Sequence, residues 1–394
     1  MTTKLTIRDI ARLAGVSKST VSRVLNAHPK VDRETRERIL TVMQEHGFIP
    51  NAAATGLAKG HSRLIGLLVP ALTWELVTDV LQGVAAIVED THYEIILYSA
   101  SPEKDFSQVI DRMLATNMAV GILALLHRQS PQHLVELHGQ GFPVVLINHI
   151  ATRVELPQVG IDNAAATYTA IRHLLDLGHR RIGFIRGLPE LQCTHDRYQG
   201  YCQALSDAGI PLDATLVLEG TYECEGGYQG ALTFFALSEP PSAIFASNDL
   251  TAYGVLQAAD ELGVHIPQDV ALVGFDDIPP SAHVQPALTT VHQPFKEMGR
   301  SAAQLLLTLI NQRASLSAGQ GKAQHAVGEQ DRQPLPHILL PTHLTVRKSC
   351  GATTPIAVPV GRGGVPVGRG DESVGRGGVP VGRGLPRQLP HGGD

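Results

Sequence analysis

The amino-acid sequence predicts an α/β protein in which a small three-helix head precedes a body of two α/β subdomains with parallel sheets. The chain has 394 residues, of which 43% are hydrophobic and 18% are charged, enough for two or three domains with their own cores. From residue 64 onward, short apolar runs alternate with helical stretches, which is typical of parallel sheets covered on both faces. The first 60 residues form a separate, basic segment.

Charge is unevenly distributed between these regions. Residues 1–60 carry ten Lys and Arg against five Asp and Glu, a net charge of +5. Residues 61–350 have a net charge of −12, residues 351–394 have +2, and the whole chain has −5. A basic head on an acidic body indicates that only the head meets a polyanion such as nucleic acid.

Cysteine content and hydropathy exclude a disulfide-rich secreted protein and a membrane protein. Four scattered cysteines form neither a disulfide framework nor a C-x-x-C zinc site. Residues 1–15 lack the apolar segment of a signal peptide, and no run of 18 apolar residues occurs. We therefore expect a cytoplasmic protein with free thiols and no membrane contact.

The head pattern predicts three short helices. The first covers residues 5–14 with Thr6 as N-cap, the second covers residues 17–26, and the third runs from Asp32 to Gly47. The apolar positions expected to form its core are Ile7, Ile10, Ala11, Ala14, Val21, Val24, Leu25, Ile39, Leu40 and Met43.

The first two helices are joined by a tight turn, Gly15-Val16-Ser17, which is a helix-turn-helix arrangement whose second helix can enter a major groove. Short hydroxyl side chains suit phosphate oxygens, and longer polar side chains reach base edges. The alternative is a three-helix bundle for protein contact, with solvated Lys and Arg. The proposed phosphate contacts are Ser17, Thr20 and Ser22, and the proposed base contacts are Lys18, Ser19 and Arg23.

About eight strand–helix repeats follow over some 280 residues. This number is too large for one compact sheet, so we expect two subdomains that meet near residues 160–163. A closed eight-fold barrel is the alternative topology, but it gives no reason for the basic head.

The last part of the chain departs from this alternation. Residues 314–336 are small, polar and aperiodic and are predicted as an inserted loop before a final strand pair around residues 337–349. From residue 352 the chain is rich in Gly, Pro and Arg, with Val-Gly-Arg-Gly beginning at 360, 367, 374 and 381. Such a composition cannot assemble an apolar face, so we predict a disordered, solvated tail.

Several segments together resemble the lactose/galactose repressor (LacI/GalR) family. They are TIRDIARLAGVSKSTVSRVLN, GFIPN, IGLLVP, GHRRIGFIRG, RYQGYCQAL, FASNDLTAYGVLQAADELG, VALVGFDDI, PALTTVHQP and LPTHLTVRKSCG. They occur in the family's order across residues 5–351. The tail and the 314–336 insertion lie outside the resemblance.

The resemblance implies a homodimeric transcription regulator whose two heads read half-sites of a pseudo-palindromic operator. Its body would resemble a periplasmic sugar-binding protein, with two subdomains joined by three crossovers. The implied domains are a head at 1–50, a hinge helix or linker at 51–61, a body at 62–351 and the tail at 352–394. Within the body, one subdomain covers about 62–161 and 293–325, and the other about 163–291 and 326–350.

The hinge segment Asn51–Lys59 is implied to fold on operator DNA, with Leu57 wedged into the minor groove. Here the family's usual Ala-Arg-Ser-Leu run reads Ala-Thr-Gly-Leu at residues 54–57. Because glycine costs about 1 kcal/mol relative to alanine inside a helix, Gly56 should make this hinge harder to order. The implied DNA-contacting set is Thr6, Ser17, Lys18, Ser19, Thr20, Ser22, Arg23, Asn26 and Leu57.

The resemblance also implies an effector site between the subdomains, at the carboxyl ends of parallel strands. A carboxylate that accepts from vicinal hydroxyls, amides and a guanidinium that donate, and an aromatic wall suit a polyol. Asp249 and Asp277 follow two of these positions and are read as helix N-caps or as further ligands. The implied effector contacts are Trp74, Asn148, Arg197, Tyr222, Asn248, Asp276 and Gln293.

Other functions have less support in the sequence. A purine effector remains an alternative, and it would rely on stacking by Tyr222 and Trp74 more than on Asp276. A sugar-transport protein would share the body but not the basic head. No general acid and base can be paired for an enzyme, and the scattered histidines lack the spacing of metal ligands. We expect no cofactor and no metal.

Overall fold

We describe the fold from a computed structural model. It describes residues 5–25, 28–48, 62–72, 74–99, 106–115, 119–126, 131–150, 154–319, 335–352 and 357–360. The hinge segment 51–61, with Leu57, lies outside the described residues, and so does Asn26. No described helix is long and apolar enough to cross a membrane.

The helices are α1 (Ile7–Leu13), α2 (Lys18–Leu25), α3 (Arg33–Glu45), α4 (Glu75–Val88), α5 (Phe106–Ala115), α6 (Gln132–Gly139), α7 (Asn163–Asp176), α8 (Gln192–Asp207), α9 (Cys224–Phe235), α10 (Asp249–Leu262) and α11 (Phe295–Gly319). Two short 3₁₀ helices cover Ala214–Leu216 and Pro279–Ala282.

The strands are β1 (Leu64–Val69), β2 (Glu94–Ser99), β3 (Ala119–Leu125), β4 (Val144–Ile147), β5 (Gln158–Ile161), β6 (Ile182–Ile185), β7 (Val217–Leu218), β8 (Ala243–Ala246), β9 (Ala271–Asp276), β10 (Thr289–His292), β11 (His337–Leu340), β12 (His343–Thr345) and β13 (Ala357–Pro359).

The head contains the three predicted helices around a small core. Thr6 caps α1 through a capping box with Asp9, and Asp32 caps α3, so the helix starts are set by local hydrogen bonds. Gly15 has a φ of +67° in the turn, a conformation that glycine adopts without steric cost. The prediction that Leu40 is a core residue is wrong, because it is 49% exposed.

The body contains two separate sheets, as predicted, and not a closed barrel. The first sheet has the order β11-β5-β4-β3-β1-β2, and all its described pairs are parallel. The second has the order β13-β12-β10-β9-β8-β6-β7, with antiparallel pairing only at β12 with β10 and with β13. The central strands of both sheets are buried and helices cover them.

The chain passes between the sheets three times, after β5, after β10 and after β11. These are the three crossovers that the resemblance implies. After the second crossover, α11 packs against α4 in the first subdomain. A Cβ atom at Gly83 of α4 would collide with the Lys296 carbonyl of α11, so glycine permits the close approach of these two helices.

Three predictions about the end of the chain need correction. Residues 337–345 do not form one strand pair, because β11 joins the first sheet beside β5 and β12 joins the second. The strand β11 therefore belongs to the first subdomain, although the sequence division placed 326–350 in the second. Residues 314–319 continue α11 instead of starting a loop; residues 320–334 lie outside the described part.

The predicted disordered tail contains a strand. Residues Ala357–Pro359 pair antiparallel with β12 as β13, and the Val360 N–H donates to the Thr342 carbonyl at 3.2 Å. Val358 and Val360 pack against the main apolar cluster. Residues 361–394, which contain the other repeats, lie outside the described residues.

Candidate effector cleft and DNA-binding head

The candidate effector residues of the second subdomain lie at or near the carboxyl ends of its parallel strands. Asn248 follows β8, Asp276 ends β9 and Gln293 follows β10. Because β8, β9 and β10 are parallel neighbours, their carboxyl ends meet at one edge of the sheet. Arg197 reaches the same edge from α8.

Arg197 is the centre of this group. Its side chain is 5% exposed, its Nε donates to Asn163 Oδ1 at 2.9 Å and its Nη1 donates to the Ser247 carbonyl. Its Nη2 lies 3.9 Å from Asp276 Oδ1, and its guanidinium lies 3.6 Å from the centre of the Phe275 ring. The charge is therefore buried with a carboxylate, two oxygen acceptors and an aromatic face around it.

Asp276 is held in an unusual backbone conformation. Its φ is 113° and that of Asp277 is 58°, values that residues other than glycine rarely adopt. Gln293 Nε2 donates to Asp276 Oδ1 at 2.6 Å, and the Gln293 N–H donates to the Asp276 carbonyl at 3.2 Å. The turn after β9 thus holds a carboxyl group that is 16% exposed beside Arg197.

Tyr222 forms a half-buried wall next to this pair. Its backbone has a φ of 67°, and its hydroxyl lies 2.7 Å from Thr194 Oγ1 and 3.4 Å from Cys193 Sγ. The ring lies against Gly187, where any Cβ atom would collide with it. Burial raises the pKa of the Tyr222 hydroxyl, so it takes part in hydrogen bonds as a neutral group.

The Asn248 side chain caps a helix and bonds the backbone of Tyr222. Its Oδ1 accepts from the Thr251 N–H at 2.9 Å and caps α10, while its Nδ2 donates to the Tyr222 carbonyl at 2.9 Å. The reading of Asp249 and Asp277 as helix N-caps is wrong. Asn248 takes that role, and Asp277 instead receives hydrogen bonds from Arg347 Nη2 at 2.7 Å and Thr345 Oγ1 at 3.1 Å.

The first subdomain contributes Trp74 and Asn148. Trp74 immediately precedes α4 and lies half-buried against the main apolar cluster. Asn148 follows β4 with a φ of 55°, and its N–H donates to the Val159 carbonyl at 2.8 Å. Among the described residues, no hydrogen bond joins the Asn148 side chain to the Arg197 group, whereas direct contacts join the five residues of the second subdomain.

Sequence reasoning missed several groups around Arg197. The Asn163 side chain and the Ser247 backbone carbonyl accept hydrogen bonds from its guanidinium, and the Thr194 hydroxyl bonds the Tyr222 hydroxyl. Ser247 precedes Asn248 at the end of a buried strand, which was an available signal; Asn163 offered none. Within the described part of the chain, Gln293 Oε1 and Ser247 Oγ are buried without a hydrogen-bond partner, and buried polar atoms of this kind favour a polar ligand.

In the head, the start of α2 is open to solvent. Ser17, Lys18, Ser19 and Arg23 are exposed, while Thr20 and Ser22 are half-buried. Ser17 Oγ accepts from the Thr20 N–H at 3.1 Å and lies 2.7 Å from Ser19 Oγ. Thr6 is exposed, but its hydroxyl already donates to Asp9 at 2.6 Å. This surface presents a cluster of hydroxyls flanked by two cations.

The described residues contain no group of three or more His, Cys, Asp or Glu side chains placed to hold a metal ion.

Two family models match the chain. Residues 6–51 match the bacterial regulatory proteins of the lacI family, and residues 171–350 match a periplasmic binding protein-like domain. The first match contains the helix-turn-helix, and the second contains Arg197, Tyr222, Asn248, Asp276 and Gln293.

Individual relatives cover most of the chain. Catabolite control protein A of Priestia megaterium is 33% identical over 309 residues, which are 78% of this chain and 93% of that protein. The solved transcriptional regulator CelR–cellobiose complex is 29% identical with a TM-score of 0.62, covering 88% of this chain and 99% of the other. The Lac repressor dimer bound to operator and the anti-inducer ONPF is 24% identical with a TM-score of 0.75, covering 89% and 100%, and shows the shared fold. The chain belongs to the LacI family of transcriptional regulators, with a helix-turn-helix domain and a periplasmic-binding-like α/β body.

Proposed function

We propose that the protein is a homodimeric repressor whose affinity for a pseudo-palindromic operator is set by a small carbohydrate bound between the two body subdomains. It would act in the cytoplasm, where its DNA is. The observation that carries the effector part is the buried Arg197–Asp276 pair at the strand ends, with Gln293 and Tyr222 beside it.

The chemistry of this group supports a polyol. Asp276 offers carboxylate oxygens to ligand hydroxyls, Gln293 Oε1 and Ser247 Oγ have unused hydrogen-bonding capacity among the described residues, and the Tyr222 ring covers an apolar sugar face. CelR, a relative with the same fold, has been solved as a complex with cellobiose, which adds support for a carbohydrate here.

The coupling to DNA would follow from the crossovers. A ligand that contacts both sheets favours one angle between the subdomains, and that angle sets the spacing of the two heads in the dimer. This works only if the effector's affinity differs between the two arrangements, and the operator must then change effector affinity by the same factor.

The DNA-binding part is tested by selecting bound sequences from random DNA and measuring affinity against salt concentration. We expect palindromic half-sites and an affinity that falls steeply with salt. Lys18→Ala, at a proposed base contact, should weaken binding to the selected half-sites more than binding to random DNA, while Lys296→Ala, an exposed change in the body, should leave both unchanged. A salt-independent affinity would contradict the proposal.

The effector part is tested on the selected operator. We expect one mono- or disaccharide from a panel to change operator affinity, and Asp276→Asn to abolish this response. A nucleobase that acts on the wild type and on Asp276→Asn alike, but not on Tyr222→Ala, would instead support the purine alternative.

A further inference from the structure

Asp249 is a fully buried carboxyl group next to the candidate effector site. It is 0% exposed at the start of α10, one residue after the N-cap. Its Oδ2 accepts from the Ile278 N–H at 3.0 Å and from Ser281 Oγ at 2.6 Å, and its Oδ1 lies 2.5 Å from Thr290 Oγ1. Two segments beyond its own helix, residues 278–281 and β10, therefore meet at this one side chain.

Two of those contacts hold the chain directly after the turn that carries Asp276. Ile278 and Ser281 follow the two residues with positive φ, Asp276 and Asp277, and the backbone needs outside support in that conformation. Gly274 precedes the turn on β9, and a Cβ atom there would collide with Asp249 Oδ1. The absence of a side chain at Gly274 thus leaves room for the carboxyl group beneath the turn.

The electrostatic surroundings of Asp249 favour its neutral form. Among the described residues, the charged group that acts on it is Asp276, and burial together with this negative charge raises the pKa of Asp249 to about 8. The other ionisable groups of the neighbouring elements are engaged elsewhere: Asp277 binds Arg347 and His292, Arg197 binds Asn163 and faces Asp276, and Tyr253 binds Ser281.

We propose that Asp249 is a positioning residue for the effector site, which as a neutral carboxylic acid supports the turn after β9 without adding a second negative charge beside Asp276. This inference rests on the proposed function for its biological meaning. Ionisation of Asp249 at alkaline pH would place a second negative charge beneath the turn and weaken effector binding.

The test uses ligand-free, full-length protein, so that its failure is distinguishable from a failure of the proposed function. Infrared difference spectra of wild type minus Asp249→Asn at pH 7 should contain the C=O band of a protonated carboxylic acid, and wild type minus exposed Asp260→Asn on the same helix should not. The band should vanish as pH rises through about 8. In Asp276→Asn, which retains Asp249, this midpoint should shift to lower pH because one repulsive charge is gone.

Hydrogen exchange tests the support of the turn. Asp249→Ala should speed exchange in a peptide covering residues 275–282 by at least about tenfold, with β1 as the internal reference. Asp249→Asn should retain protection, because an amide can reproduce the hydrogen bonds of a neutral acid. No protonated band at pH 7, an unshifted midpoint in Asp276→Asn, or unchanged exchange in Asp249→Ala would each overturn the proposal.

Discussion

The two body subdomains share a parallel-sheet plan but contribute differently to the cleft. In the second, Arg197, Tyr222, Asn248, Asp276 and Gln293 are joined by direct contacts into one buried network. In the first, Trp74 packs on its own core and Asn148 is half-buried after β4. Under the proposed function, the second subdomain would hold a preorganised binding surface, and the first would provide a wall that a ligand brings into contact.

Substitutions of residues with the same proposed role should therefore change the stability of the protein by different amounts. A side chain inside the second-subdomain network should affect both folding and binding when it is changed. Asn148, on the first subdomain, should affect binding alone. The substitutions below test this contrast.

The largest effect is expected from Arg197→Met. Removing one partner of a buried pair leaves Asp276 uncompensated and should lower the free energy of unfolding by about 3–5 kcal/mol. Urea unfolding at pH 7 measures it. Arg172→Met is the matched control, because Arg172 bonds Asp176 at the surface of α7, where a pair contributes about 0–1 kcal/mol. Equal losses for the two variants would contradict the contrast.

The second sheet is also extended by the tail, and Val358→Asp tests that extension. Placing a charge on the half-buried position of β13 should cost about 1–3 kcal/mol, measured in the same unfolding experiment. Val365→Asp changes the equivalent valine of the next Val-Pro-Val repeat. If both variants lose the same stability, the pairing of β13 with β12 is not what stabilises this edge.

Tyr222→Phe removes only the hydroxyl that binds Thr194. We expect a loss of about 0.5–1.5 kcal/mol, together with a weaker response to the effector. Tyr168→Phe, which removes a hydroxyl bound to Asp207 at the surface, serves as control and should cost less. A larger loss for Tyr168→Phe would argue against a stabilising bond between the Tyr222 and Thr194 hydroxyls.

A smaller, pH-dependent effect is expected at the third crossover. Burial and the nearby His292 lower the pKa of His343 from 6.5, and the two rings lie 4.7 Å apart. Below pH 6.5 the unfolded chain then binds more protons than the folded one, so the free energy of unfolding decreases as the pH falls. His343→Gln should therefore lose less stability than wild type between pH 7.5 and 5, whereas exposed His92→Gln should match wild type.

The smallest change in stability is expected from Asn148→Ala. Because its side chain has no hydrogen bond among the described residues, unfolding free energy should stay within about 0.5 kcal/mol of wild type. Effector affinity should nevertheless fall. Calorimetric unfolding measures the first quantity, and the effector concentration that changes operator affinity measures the second. A destabilised variant with a normal effector response would contradict the expected difference between the subdomains.

Much of this arrangement could be predicted from the sequence because it depends on local signals. Thr6 and Asp32 cap their helices through bonds within three residues, and apolar runs mark the buried strands. The sheet partner of β11 could not be predicted, since β5 lies some 180 residues away. That Asn248 and not Asp249 caps α10 also depends on distant groups, because the hydroxyls of Ser281 and Thr290 hydrogen-bond the Asp249 carboxyl.

The candidate site was predictable in part for the same reason. Its residues follow strand ends, which the apolar runs locate, whereas their mutual contacts depend on how α8 and β9 pack. The Asn163–Arg197 bond joins side chains 34 positions apart. The positive φ of Asp276 could not be predicted, because the residue at that position is not glycine.

The most direct test of the effector site is a fluorescence titration of Trp74, the chain's only tryptophan, with a panel of mono- and disaccharides and nucleobases. We predict that one carbohydrate gives a saturable change, because it draws the first-subdomain wall toward the second-subdomain network, and that Asp276→Asn abolishes the change without unfolding the protein. A saturable response of unchanged affinity in Asp276→Asn would contradict the claim that the second subdomain holds the effector.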